Sequence, residues 1–152
     1  MIGSNQQSII SDQTWSPTPL TKAKTLSKKL DIDLWLKRED CTAVGSFKLR
    51  GALLSILEYA KNTNSKTEKV GICLASAGNF AIAIATVTKQ FNIRTTVFVP
   101  GNATPSKIKK IKSTGATIFK RGSDFDESKI FAKQFSEINN LEFLEDGVLE
   151  GM

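Results

Sequence analysis

Hydrophobic and polar positions change period several times along this chain, and each change marks an element. Leu34-Trp35-Leu36 is a compact apolar run that reads as a short strand. A polar loop, Lys37 to Val44, follows it and turns at Gly45. From Ser46 onward the spacing becomes helical: Leu49, Ala52, Leu53, Ile56, Leu57 and Ala60 share one face, and Asn62-Thr63-Asn64-Ser65 ends the run. Ser46 is placed to accept the free N–H groups of that helix's first turn. Val70 to Ala75 is a continuous apolar run of buried-strand type, followed by the short polar loop Ser76-Ala77-Gly78-Asn79 and a small-residue helix from Ala81 to about Phe91.

The same alternation continues to the end. Thr95 to Val99 is a strand stopped by Pro100 and Gly101, and Pro105 suits the first turn of a helix from about Thr104 to Ser113. Gly115 stops that helix, and Ala116 to Phe119 reads as the next strand. Ser123-Asp124-Phe125-Asp126 opens a further helix, with Phe125, Ile130, Phe131, Ala132 and Phe135 expected in the core and the two aspartates serving as N-terminal charges. Leu141 to Leu144 is a final short strand. Strands and helices alternating from Val70 onward predict an α/β fold: a parallel βα sheet of about four strands with right-handed crossovers. Before this block, residues 1–13 are polar, and Trp15 to Leu20 is held extended by its two prolines. Thr18 or Thr21 is expected to cap a short helix running through Leu30.

Composition narrows the function classes. A chain of 152 residues with 40% hydrophobic and 24% charged residues can bury a core of one domain, or one and a half small ones. Its net charge of +6 comes from 21 basic and 15 acidic residues spread along the chain, and the densest group, Lys107, Lys109, Lys110 and Lys112, reads as the solvated face of one helix. No nucleic-acid partner is expected from that distribution. Histidine is absent, which excludes a Ser-His-Asp triad, a Cys-His pair and a His-ligated metal. Cys41 and Cys73 lie far apart and form no CxxC pair, as expected of free thiols in a reducing compartment. No apolar run approaches the ~20 residues a membrane-spanning helix needs, and no secretory signal pattern is present. The expectation is a soluble cytoplasmic protein with no membrane partner.

Two stretches carry candidate chemistry. Lys48 follows a polar loop at the end of a strand, where open α/β sheets place ligands, and sits between the apolar Phe47 and Leu49. A lysine desolvated there would be nucleophilic. The loop Ser76 to Asn79 joins a strand to a helix N-terminus, an arrangement that presents backbone N–H groups to an anion. Lys37 and Arg50 read as surface or salt-bridge residues.

These stretches resemble a known family. Lys37-Arg38-Glu39-Asp40 through Gly45-Ser46-Phe47-Lys48-Leu49-Arg50-Gly51-Ala52 is similar to the cofactor-lysine motif of fold type II pyridoxal-phosphate enzymes, in particular the threonine/serine dehydratases (ammonia-lyases). Ala75-Ser76-Ala77-Gly78-Asn79 resembles their asparagine loop. Pro17 to Leu20, Val99 to Lys107, and Gly115-Ala116 with Gly122 to Glu127 extend the likeness, which covers residues 14–147. The resemblance implies pyridoxal 5'-phosphate as cofactor and Lys48 as its Schiff-base lysine and later the base at the substrate α-carbon. Phe47 would pack on the cofactor ring, Asn79 would bond its phenolic oxygen, and Ser76, Ala77, Gly78, Asn79 and Phe80 would receive the substrate carboxylate.

The resemblance also sets out departures. Phe80 stands where the family has histidine, and Ala77 where racemase members have serine, which argues against a racemase. No glycine-rich phosphate cradle of the family's kind occurs in these residues, so whether the chain alone is an enzyme stays open. By the family's plan, residues 1–69 would begin the large cofactor domain, 70–147 would form the small α/β domain, and 148–152 a truncated return to the large one. The lysine helix would then expose an apolar face. Three readings follow: an amino-acid dehydratase giving a 2-keto acid and ammonia, represented by its N-terminal part; a catalytically silent remnant that associates with a full-length relative; or another fold type II β-elimination or β-replacement enzyme. Either a homo-oligomer or association with a complementary large-domain segment is compatible with them.

Overall fold

A computed structural model of the chain describes residues 16–63 and 70–147. In chain order its elements are β1 (Leu20–Lys22), α1 (Lys24–Leu30), β2 (Trp35–Lys37), a 3-10 turn (Glu39–Cys41), α2 (Lys48–Thr63), β3 (Ile72–Ala75), α3 (Asn79–Gln90), β4 (Thr95–Val99), α4 (Pro105–Ser113), β5 (Thr117–Lys120), α5 (Phe125–Ile138) and β6 (Glu142–Leu144). The predicted α/β sheet is present: four strands in the order β5-β4-β3-β6, every pair parallel.

Alternation along the strands sorts the core into two layers. Ile72, Leu74, Val97 and Val99 face one side, where they share a core with Leu49, Ala52, Leu53 and Ile56 of α2 and with α3 and α4 residues including Ile84, Val87 and Ile111. Cys73, Ala75 and Phe98 face the other side and pack with Ala132 of α5 and Leu141. Small residues at Ala81, Ala83 and Ala85 are almost fully buried, as a close helix–sheet contact requires. Among polar groups of the core, Thr95 donates its hydroxyl to Thr88 Oγ1 at 2.7 Å, and Thr88 passes its own to the Ile84 carbonyl at 2.9 Å.

Several local expectations are corrected. Residue 23 is the N-cap of α1: Ala23 offers no side-chain bond, Thr21 lies in β1, and the Thr18 hydroxyl is taken by Glu39 at 2.6 Å. Leu20 to Lys22 pairs antiparallel with Trp35 to Lys37, a contact no local period signals. Asn79 begins α3, two residues before the expected start, with Gly78 as its N-cap. In α5, Ala132 is buried and Phe135 is half-buried, but Phe125, Ile130 and Phe131 are exposed. The residues that α5 buries are Ser128, Ala132 and Ser136, one residue per turn, and their small side chains let the helix lie close on the sheet. Phe125 and Phe131 are thereby turned outward, while Phe135 packs against Phe98 at a ring-centre distance of 5.4 Å. Asp124, read from the sequence only as an N-terminal charge, is the N-cap of α5: it accepts from the Glu127 N–H at 2.9 Å, and the Glu127 carboxylate accepts from the Ser123 N–H at 2.8 Å.

Most of the apolar face of α2 is covered, contrary to the family plan: Leu49, Ala52, Leu53 and Ile56 are each at most 1% exposed against the α3 side of the sheet, and Leu54 remains exposed. Among the described residues no helix is long and apolar enough to cross a membrane.

This layering makes a quantitative difference between two isoleucines. Ile84→Ala, at a fully buried site, should cost about 2–5 kcal/mol. Ile130→Ala, on the outer face of α5, should change stability by no more than about 0.5 kcal/mol. Urea unfolding followed by circular dichroism checks both; equal losses would contradict the orientation of α5.

Candidate functional site

The loop that delivers Lys48 is tied at both ends. Arg50 forms a two-pronged pair with Glu39, Nε to Oε2 at 2.8 Å and Nη2 to Oε1 at 2.9 Å. Thr18 donates to the same Glu39 Oε1, and Lys37 Nζ donates to the Thr18 carbonyl at 2.6 Å. Three chain segments are therefore clasped around one half-buried carboxylate. Arg50 keeps the salt-bridge role read from the sequence, while Lys37 is engaged by a backbone carbonyl. The Arg50 hydrogen bond, and after it the Thr18 bond, holds the Glu39 carboxyl below its ordinary value.

Inside the clasp, Thr42 bonds both polar backbone groups of Ser46, accepting from its N–H at 3.0 Å and donating to its carbonyl at 2.8 Å. Gly45 makes the turn with φ +72°, a left-handed conformation that a side chain would resist. The Ser46 hydroxyl does not cap α2 as expected. It is buried and has no hydrogen-bond partner among the described residues.

Lys48 is the first residue of α2. Its Nζ donates to Asp146 Oδ1 at 2.5 Å and lies 5.2 Å from the centre of the Phe47 ring, which is itself 62% exposed. The sequence reading of a desolvated lysine is corrected here: the side chain is 29% exposed and paired with a carboxylate. Sequence reasoning missed Asp146, which lies 98 residues away and has no motif around it.

The β3–α3 loop leaves the same C-terminal edge of the sheet as the turn that carries Asp146. The Ser76 N–H is bound by the Phe98 carbonyl at 3.0 Å, and the Ser76 hydroxyl accepts the Gly78 N–H at 3.1 Å. Gly78, the N-cap, gives α3 no side-chain bond, so the helix's first N–H groups and its positive dipole end are not covered by a cap. Ala77 and Gly78 are half-buried, and Asn79 is exposed. Phe80 is buried in the core, so only its backbone is available to the loop. Lys48 and Asn79 lie at the same edge of the sheet: Asn79 follows β3, and Lys48 is bonded to Asp146, which follows the parallel neighbour β6.

The remaining nucleophile candidates are weak. Burial pushes the Cys73 thiol up to about 12, which leaves it protonated at neutral pH. Cys41 is an exposed free thiol.

A partly exposed amine, an aromatic face beside it, a helix N-terminus without a side-chain cap and a buried hydroxyl with no partner among the described residues suit the aldehyde and ring of pyridoxal phosphate. A family model described as pyridoxal-phosphate dependent enzyme matches residues 12–148. Biosynthetic L-threonine dehydratase of Lactococcus lactis is 40% identical over 131 residues, covering 84% of this chain and 30% of that protein. L-Serine dehydratase of Dictyostelium discoideum is 30% identical over 136 residues, 85% of this chain and 39% of that protein. The processed form of threonine deaminase isoform 2 from Solanum lycopersicum superposes with a TM-score of 0.74 at 27% identity, over 94% of this chain and 40% of that one. The chain thus spans well under half the length of these relatives.

The depressed carboxyl of Glu39 fixes the sign of a pH effect. Its stabilisation is complete above the unfolded glutamate value and is lost as pH falls from about 4.3 downward. Glu39→Gln should therefore be less stable than the wild type at pH 7, with the difference shrinking in acid. Thermal melts across that range check this; a constant difference at every pH would remove Glu39 from the clasp.

Proposed function

Because the chain belongs to the pyridoxal-phosphate-dependent enzyme family, we propose that it is the lysine-bearing part of an amino-acid dehydratase of the threonine/serine type. The reaction is β-elimination of water followed by release of ammonia, giving a 2-keto acid. The observation that carries this reading is the placement of Lys48 at the start of α2, with Phe47 against its amine and the uncapped end of α3 at the same edge of the sheet. The relatives named threonine and serine dehydratase support the substrate class.

When bound, the cofactor supplies an electron sink for the pair left on the substrate α-carbon. Lys48 would hold it through Nζ and, once released, take the α-proton on that same nitrogen. Phe47 would pack on one face of the cofactor ring, and the Asn79 amide would bond its phenolic oxygen. Ser76, Ala77, Gly78 and Asn79, with the Phe80 backbone, would receive the substrate carboxylate. The cause is the unsatisfied N–H groups and dipole of α3, which favour an anion without needing a cationic side chain. The Ser76 hydroxyl holds the loop's shape through Gly78.

In this reading residues 1–69 carry the lysine and residues 70–147 carry the carboxylate loop, and they meet where α2 packs on α3. A complementary large-domain segment would cover the apolar side chains exposed at Leu20, Leu26, Trp35 and Leu36.

The 152-residue chain mixed with pyridoxal phosphate, reduced with borohydride and digested should carry the adduct on Lys48, located by mass spectrometry. Lys48→Ala should abolish both the adduct and any keto acid formed from threonine or serine. Absence of an adduct from wild-type Lys48 would sink the cofactor role. An adduct without keto acid would favour a catalytically silent chain, and turnover of O-acetylserine with sulfide instead of threonine would favour a β-replacement enzyme.

A further inference from the structure

The Lys48–Asp146 pair has no part in the chemistry above, yet Asp146 is held in place from two sides. The β3–β6 ladder ends at the Leu74↔Leu144 pair, and Asp146 lies in the turn that begins two residues beyond it. One residue earlier, Glu145 is bound by Lys129 of α5, and its second oxygen lies 3.7 Å from Lys133 Nζ. Glu145 is thus anchored to α5, whereas Asp146, in the turn that follows, reaches the opposite side of the sheet, where α2 begins. There Oδ1 meets Lys48 Nζ at 2.5 Å, with Phe47 over the amine.

We propose that Asp146 is a positioning residue for Lys48: its carboxylate holds the amine at the C-terminal edge of the sheet and competes with electrophiles for it. The inference rests on reading Lys48 as the cofactor lysine. An amine attacks a carbonyl through its lone pair, which is not available while the nitrogen is a protonated donor to a carboxylate. For reaction with an aldehyde the pair must break. A carbon–nitrogen double bond then forms, the carbonyl oxygen leaves as water with two hydrogens from the nitrogen, and the third proton passes to Asp146 or solvent. Asp146 thus keeps Lys48 at the sheet edge from which the Ser76–Asn79 loop also leaves, and slows its reaction with adventitious aldehydes.

Reductive methylation of the 152-residue chain with formaldehyde and cyanoborohydride tests this without any cofactor. Mass spectrometry of short time points compares Lys48 with Lys109 of α4 in the same molecules. In Asp146→Asn and Asp146→Ala the relative rate at Lys48 should rise about two- to fivefold, the size expected for losing a partly exposed ion pair. Asp126→Asn, which removes one charge elsewhere, should leave it unchanged. Raising salt from about 0.01 M to about 1 M screens the pair, so the wild type should show the same rise and the Asp146 variants should not. The salt arm needs no substitution and reads the pair even where a variant folds poorly.

An unchanged or slower Lys48 in both variants, or no salt response in the wild type, overturns the proposal. A parallel incubation with pyridoxal phosphate separates the two readings. Faster methylation in the variants with no pyridoxal adduct on wild-type Lys48 refutes the cofactor role and leaves Asp146 as the partner of that amine. An adduct on Lys48 with unaltered methylation does the reverse.

Discussion

The site depends first on burial of the apolar face of α2. Leu49, Leu53 and Ile56 are removed from water against α3 and the sheet, and each such side chain contributes about 1.5–3 kcal/mol. That packing supplies the free energy that keeps the lysine helix in place. It does not by itself select the helix's angle or the direction of its first side chain. Those are constrained by the Glu39–Arg50–Thr18 clasp, whose directional bonds join α2 to two segments that precede it. Hydrophobic burial is non-directional, and charge-assisted hydrogen bonds are directional, so the two act on different properties of the same helix.

A parallel sheet imposes the second constraint. All four strands run the same way, so the loops that leave β3 and β6 emerge at one edge. The β3 loop leads directly into a helix N-terminus and carries no side-chain cap. The β6 exit carries two carboxylates that point to opposite layers, Glu145 to α5 and Asp146 to α2. An amine, a carboxylate and a dipole end meet there because the strands' common direction collects their exits, although the residues are far apart along the chain.

The electrostatics of this edge are mostly local. The Glu39 carboxyl is lowered by Arg50, and the Glu145 carboxyl by Lys129. The buried thiol of Cys73 is pushed the other way by desolvation and sits in the layer away from the lysine. The chemistry available at the edge is therefore that of an amine, which is what a family of carbonyl-cofactor enzymes uses.

Local order was written plainly in the sequence. The βα alternation from Val70, the helical period from Leu49 to Ala60, Pro105 in its first turn and the acidic start of α5 at Asp124 and Asp126 all reappear in the fold, since each depends on residues within a few positions of one another. The placement of Lys48 at a helix start and of the Ser76–Asn79 loop between a strand and a helix N-terminus was likewise legible, because each forms one continuous stretch. What only the tertiary structure decided was pairing and facing. No local pattern marks the β1–β2 ribbon, and Phe125 and Phe131 turn outward because Ser128, Ala132 and Ser136 are small enough to let α5 close on the sheet. Asp146 becomes the partner of Lys48 because β6 pairs beside β3 and the turn after β6 brings its carboxylate to the start of α2. A period reports which residues share a face; only packing determines what that face, or a charge 98 residues away, will meet.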